Sequence, residues 1–361
     1  MERAVKRKRV FRDRTNPLEV YNDDEIISRF RLTREAILRL TDELGEVLGP
    51  TTERSHSIPA LLQVCTALRF YATGSFLNTV GDTVGLSKAS VSQVAYRASG
   101  ALSERLPQFP TEPAELSRLK RGFYNISRFP NVVGAIDGTH VKVQAPSENE
   151  HLFINRKGYH SLNIQALCDH NLKFLNCVAH WPGSVHDSRI LQNSQLCEAF
   201  EEGIIDGILL GDSGYPLKPW LLTPFLNPTT PAQRKYNAAH CSTRNTIERA
   251  FGVLKRRFHC LHGELRMIPD RVCNIVCATV VLHNMARDLQ LPDPEEEEGV
   301  VHHNVEDRED EEDQQGAGRF IFNCIPGEGE DMESEWTMFL TSIAEAAVQS
   351  CNCKVVGARR P

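Results

Sequence analysis

Asn131-Val132-Val133-Gly134-Ala135-Ile136-Asp137 decides the fold class, an apolar run closed by a carboxylate. Followed by Gly138-Thr139-His140 and the apolar Val141 and Val143, it reads as a buried strand. Ser161-Leu162-Asn163-Ile164-Gln165-Ala166 alternates apolar and polar residues, which predicts a second strand. Asp169-His170-Asn171 marks a turn, and Lys173 to Trp181 a third strand, so the three form an antiparallel meander. A helix is expected from about Ser188 to Phe200. Ile208-Leu209-Leu210 is a short fourth strand leading into Gly211-Asp212-Ser213-Gly214-Tyr215. A loop with Pro216, Pro219, Pro224, Pro228 and Pro231 follows. A helix is expected from about Thr243 to Phe258, striped by Ile247, Phe251, Leu254 and Phe258, and a last one from about Arg271 to Leu289. Residues 129–290 thus read as a mixed α/β domain.

Three acids stand out in this order of elements. Asp137 and Asp212 lie at the ends of predicted strands, and Glu248 lies beside the apolar stripe of a later helix. If the first and fourth strands are neighbours, the three carboxylates converge. Singly, each has a plainer role: a strand-to-turn residue, an Asx-turn, a solvated charge. Together they suit phosphodiester hydrolysis, in which two divalent ions ~3.5–4 Å apart activate water and stabilise the departing oxygen. Mg²⁺ and Mn²⁺ take hard oxygen ligands, and a metal resolves the repulsion of clustered carboxylates.

Upstream, residues 21–128 have helical periodicity, with Thr33 capping a helix whose apolar face holds Ala36, Ile37 and Leu40. Leu77 to Val91 reads as helix, tight turn, helix. Gly81 permits close approach, Gly85 supplies the turn and Ser87 caps the second helix. That is the spacing of a DNA-reading helix-turn-helix, and it exposes Lys88, Ser90, Gln93 and Arg97. A helical hairpin that only packs on its neighbours has the same pattern.

Charge is distributed unevenly. The 361 residues carry a net −6, yet residues 1–130 hold 20 Lys+Arg against 15 Asp+Glu. Residues 131–290 hold 16 against 14, and residues 291–361 hold 5 against 18. A basic body with an acidic appendage is compatible with a polyanionic partner. Residues 1–20 form a basic arm expected to be disordered, whose Lys6-Arg7-Lys8-Arg9, Arg12 and Arg14 read as a nuclear address or nucleic-acid arm. Residues 291–361 read as an acidic, largely disordered tail, with a short helix over 332–348. Cys351 and Cys353 are a weak zinc signal, and the 11 scattered cysteines read as reduced intracellular thiols. No apolar run approaches ~18 residues, which argues against a membrane span, and Met1 to Val10 does not read as a secretory signal.

Several stretches together resemble the PIF/Harbinger transposase superfamily and the nucleases derived from it. They are Gly134 to His140, Asn155 to Ser161, Trp181 to Arg189, Leu210 to Pro216, Asn245 to Lys255 and Val281 to Asn284, and the resemblance spans about residues 20–290. It implies an RNase H-like catalytic domain with a DDE triad, Asp137 first, Asp212 second and Glu248 third, holding Mg²⁺ or Mn²⁺. It also implies a separate Myb-like DNA-binding partner. Work on two DNA ends would suggest a homo-oligomer.

Asp187, in His186-Asp187-Ser188-Arg189, competes with Asp212 but precedes a helix, which it could cap. Arg189 is a candidate support for the site. Asn155, Arg156, Lys157 and Tyr159 form a polar loop suited to a phosphate. Arg244, Arg249, Lys255, Arg256 and Arg257 give the Glu248 helix a basic face suited to a DNA backbone. His140 and His283 read as structural, since imidazole is not the preferred Mg²⁺ partner. The leading expectation is a metal-dependent DNA endonuclease in the nucleus, with a cytoplasmic pool also allowed. The alternatives are a domesticated, non-catalytic DNA-binding adaptor acting with a Myb-like partner, and an interaction protein whose helices bind protein.

Overall fold

The computed structural model describes residues 16–49 and 57–294. The basic arm through residue 15 and the acidic tail from residue 295, with its expected helix and cysteine pair, lie outside the described residues. Before the first strand every element is helical: α1 (Pro17–Val20), α2 (Asp23–Phe30), α3 (Arg34–Leu48), α4 (Ala60–Thr73), α5 (Leu77–Val84), α6 (Lys88–Ser103) and α7 (Pro113–Ser127). Local chemistry sets their ends. Asn22 and Glu25 close a reciprocal capping box on α2, and Thr33 accepts from the Ala36 N–H to start α3. α3 turns Ala36, Ile37, Leu40, Leu44 and Leu48 inward. Gly85 ends α5 in the left-handed region, at φ 68°, and Ser87 caps α6. Gly81 lies against the Leu86 carbonyl, where a Cβ would collide with backbone.

The strands are β1 (Val132–Lys142), β2 (Ser161–Cys168) and β3 (Phe174–Pro182); after α8 (Asp187–Gln192) and α9 (Gln195–Glu201) come β4 (Ile208–Leu210) and β5 (Leu221–Leu222). α10 (Pro231–Arg257) and α11 (Pro269–Asp288) complete the described chain. The sheet order is β3-β2-β1-β4-β5. β1, β2 and β3 form the expected antiparallel meander, while β4 lies parallel to β1 and β5 parallel to β4. The first and fourth strands are therefore neighbours.

β1, whose register with β4 shifts between Val132 and Gly134, divides the core. Val132 and Ala135 join a large cluster with α10, α11 and the N-terminal helices; Val133 and Ile136 join a smaller one with α7, α8 and α9. The larger cluster runs unbroken from Leu18 to Leu291, and α11 packs on both α6 and β3. Among the described residues no helix is long and apolar enough to cross a membrane.

Three elements depart from the sequence reading. The helix expected from Ser188 is two helices, because Ser194 caps α9 by accepting from the Cys197 N–H. β5 lies inside the Pro-rich stretch. α10 begins at Pro231, twelve residues before the expected start, behind a capping box of Thr230 and Gln233. Its first turns bury Gln233, Tyr236, His240 and Thr243, too polar to register as an apolar stripe.

Candidate active site

The parallel register brings two acids together. Ala135 on β1 pairs with Leu210 on β4, and two residues beyond them stand Asp137 and Asp212. Asp137 Oδ1 accepts from the Gly138 N–H at 2.8 Å, and Oδ2 from Arg244 at 3.2 Å. Burial, then the charge of Asp212, raises the Asp137 carboxyl to about 7 despite Arg244 and the Gly138 N–H; Asp187 adds a smaller push upward. Asp212 sits in a tight turn and accepts from the Gly214 N–H at 3.0 Å.

Asp187 joins this pair. It is the first residue of α8, yet its side chain faces the sheet, over Gly138, where a Cβ would strike the carboxylate. Asn163 donates to Asp187 Oδ1 at 2.6 Å, and Gln165 donates to the Asp187 carbonyl at 2.9 Å. Gln165 also donates to the buried Tyr215 hydroxyl at 2.9 Å. The polar alternates of β2 are thus buried and hold α8 against the site. Burial raises the Asp187 carboxyl and Asn163 lowers it; the neighbouring Asp212 raises it. By sequence Asp187 stands below Asp212 as an alternative; in the structure both lie near enough to Asp137 to act on its carboxyl. The signal was available in Gly138, which leaves room for a carboxylate, but no pattern tied it to residue 187.

Glu248 reaches the cluster through Arg244. The two lie one turn apart on α10 and are ion-paired, while the other arm of the guanidinium holds Asp137. Two turns on, Lys255 Nζ donates to Thr139 Oγ1 at 2.8 Å and to the His140 carbonyl at 3.2 Å. Burial lowers Lys255 to about 8. Burial, then Lys255, Lys157 and Arg156, lowers His140 to about 4, so its ring is neutral near pH 7. His283 is fully buried against the Leu172 carbonyl at 2.8 Å.

The basic face expected on α10 does not exist as one surface. Only Arg249 is fully exposed; Arg256 is half-buried; Arg257 is buried and donates to the Pro292 carbonyl at 3.0 Å. Residues 244, 248 and 255 sit on the stripe that packs against β1, so their charges turn inward. Elsewhere, Lys88 and Gln93 are exposed on α6, and Ser90 is half-buried. Arg97 donates to the Val47 and Gly49 carbonyls at the end of α3, which ties it to the fold. Arg156 and Lys157 are exposed on the loop before β2, and Arg156 contacts His186 Nδ1 at 2.6 Å. Arg189 is exposed.

The donor set fits a divalent cation: it is made of carboxylate oxygens, and clustered negative charge is what such a cation relieves. Among the described residues no three His, Cys, Asp or Glu side chains form a ready metal cage. Arg244 bridges two of the acids that would supply one.

Residues 136–284 match the family described as DDE superfamily endonuclease, which normally uses divalent metals. Over 276 residues the chain is 39% identical to a human protein named "Putative nuclease HARBI1", spanning 74% of this chain and 79% of that one. The Xenopus laevis protein of the same name is 36% identical over 281 residues, 76% of this chain and 81% of that one. The chain belongs to the Harbinger transposase-derived nuclease family. An Arabidopsis thaliana relative, "Antagonist of like heterochromatin protein 1", is 31% identical over 248 residues, 63% of this chain and 62% of that one. No solved structure matches the chain.

Proposed function

We propose that this protein is a divalent-metal-dependent DNA endonuclease. The observation that carries the reading is that Asp137 and Asp212 each stand two residues beyond the paired Ala135 and Leu210 of adjacent parallel strands. The five-stranded order β3-β2-β1-β4-β5 supports an RNase H-like catalytic domain. Asp137, Asp212 and Glu248 would hold the metal, with Asp187 beside them. Bound there, two Mg²⁺ or Mn²⁺ ions would supply an activated water and stabilise the departing 3′ oxygen. The chain's own residues orient and exclude. Asn163 and Gln165 fix Asp187, and the buried Tyr215 hydroxyl holds Gln165. Arg156, Lys157 and Arg249, all exposed, would take backbone phosphates around the scissile bond. Arg256, half-buried, would lend charge nearby. Lys88 and Gln93 would touch DNA from α6, with Arg97 holding that helix in position.

Nicking of supercoiled plasmid by the full chain in Mn²⁺, Mg²⁺ or EDTA tests the reading. Metal-dependent nicking should fall more than about a hundredfold in Asp212→Asn, since even outer partners of a metal site cost 10–100-fold. Nicking that survives the substitution removes Asp212 from the centre. The basic arm fits a nuclear location, and the family resemblance a Myb-like partner and a homo-oligomer; plasmid assays with and without such a partner address the second.

A second reading is a DNA-binding adaptor without cleavage. The printed name of the Arabidopsis relative, an antagonist and not a nuclease, favours it. DNA binding that falls steeply with salt, with no nicking under any metal, would select it.

A further inference from the structure

We propose that Arg244 is the resident counter-ion of the acid cluster, filling the place of a cation between Asp137 and Glu248, from which a divalent metal must displace it. The inference rests on the reading of these acids as a metal centre. Arg244 Nη1 lies 3.2 Å from Asp137 Oδ2, and Nη2 pairs with Glu248 Oε1. Its planar fork directs separate N–H groups at the two carboxylates in a fixed geometry, which lysine's single ammonium nitrogen does not impose. The side chain is only 11% exposed, so salt screens these pairs little.

Guanidinium and metal compete for the same oxygens. A metal arriving at Asp137 and Glu248 finds their facing lone pairs taken and a positive charge alongside. Occupancy therefore requires both ion pairs to break and the guanidinium to leave. Its Cα remains on α10, one turn from Glu248, so the freed group stays at the rim of the site. There its two parallel donors suit a phosphodiester, the anion that binds with the metal. The arrangement makes metal and DNA mutually reinforcing: each stabilises the displaced position that the other needs.

Mn²⁺ uptake by the full chain without DNA, measured by isothermal titration calorimetry, tests this directly. Arg244→Gln is expected to bind Mn²⁺ about tenfold tighter or more, the scale of a charge-assisted hydrogen bond. Lys235→Gln, which removes an exposed cation near the start of α10, should stay within about twofold, as surface charges do. Arg244→Lys keeps the charge but loses the fixed fork that spans both acids, and should also bind more tightly than wild type. It carries the test if the glutamine variant does not fold. Affinity in Arg244→Gln or Arg244→Lys no tighter than wild type overturns the proposal. If Asp137→Asn abolishes uptake while the Arg244 variants match wild type, the metal centre stands and the counter-ion role falls. If no version of the chain takes up Mn²⁺, both fall together.

Discussion

α6 and α10 are long helices that both look, in sequence, like carriers of DNA-facing cations, and they differ in what they bury besides hydrocarbon. α6 buries Val91, Val94, Ala95, Ala98 and Leu102, and leaves Lys88 and Gln93 in solvent. α10 buries Gln233, His240, Thr243, Thr246 and Arg257, and turns Arg244 and Lys255 toward β1. Burying polar groups is costly unless each finds a partner. In α10 the partners are found: His240 on the Leu222 carbonyl, Thr243 on Ser127, Arg244 on two acids. A helix that bears this cost beside clustered carboxylates is organised around the site. A helix that buries hydrocarbon is organised around the fold, and its spare charges remain available to a partner.

Acid separates the two most sharply. Burial lowers His240 and His283 to about 4, so the folded state binds fewer protons than the unfolded chain below the ordinary histidine value of 6.5. Their contribution is present above pH 6.5 and is lost as pH falls toward 4, on the order of 3 kcal/mol for each. Thermal melts across that range should show the loss, and His240→Gln should flatten part of it. An unchanged slope in that variant would mean that α10 does not bury a neutral His240.

Next in size is Gly81→Ala. The new methyl meets the Leu86 backbone, so α5 and α6 must separate, at about 1–3 kcal/mol in chemical denaturation. DNA affinity should fall with stability if α6 reads DNA, while Mn²⁺ uptake at the acids should not change. Loss of both would erase the contrast between the helices.

The caps give a matched pair. Ser87→Ala and Thr230→Ala each remove one hydroxyl from a helix start, worth about 1 kcal/mol. Only Thr230→Ala should also weaken nicking, because only α10 carries acid-site residues. The smallest effect is in salt. Lys88→Ala should reduce the log–log salt slope of DNA binding by about 1, and Lys255→Met should leave it unaltered because that amine is spent on Thr139 and His140.

How far the sequence could be read follows from the same physics. β1, β2, β3 and β4 are legible because short apolar runs and strict alternation between turn residues suit a buried strand and little else. Gly85 and Ser87 mark their turn and cap by local chemistry. Asp137 and Asp212 are legible as acids closing apolar runs, although Asp137 stands in the middle of β1, which continues to Lys142. The first half of α10 is not, because its buried face is polar. Asp187 reads as a cap preceding a helix; it is instead the helix's first residue, with His186 at the cap position, and its approach to Gly138 is decided through space. Arg244 and Glu248 share a face by their spacing of four, but the reach to Asp137 crosses 107 positions and leaves no local trace.

β5 is two residues long, and it fixes where the second acid stands. The Leu209 N–H donates to the Trp220 carbonyl at 2.7 Å and the Gly211 N–H to the Leu222 carbonyl at 3.0 Å, so a strand of three residues is clamped from its outer edge. A slip of one residue would send Asp212 to the opposite face of the sheet. Anyone trimming this chain to a minimal fragment, or grafting its acids onto another scaffold, would be tempted to cut residues 216–230 as spacer. That cut would leave every acid in the chain and lose the ruler that sets their separation.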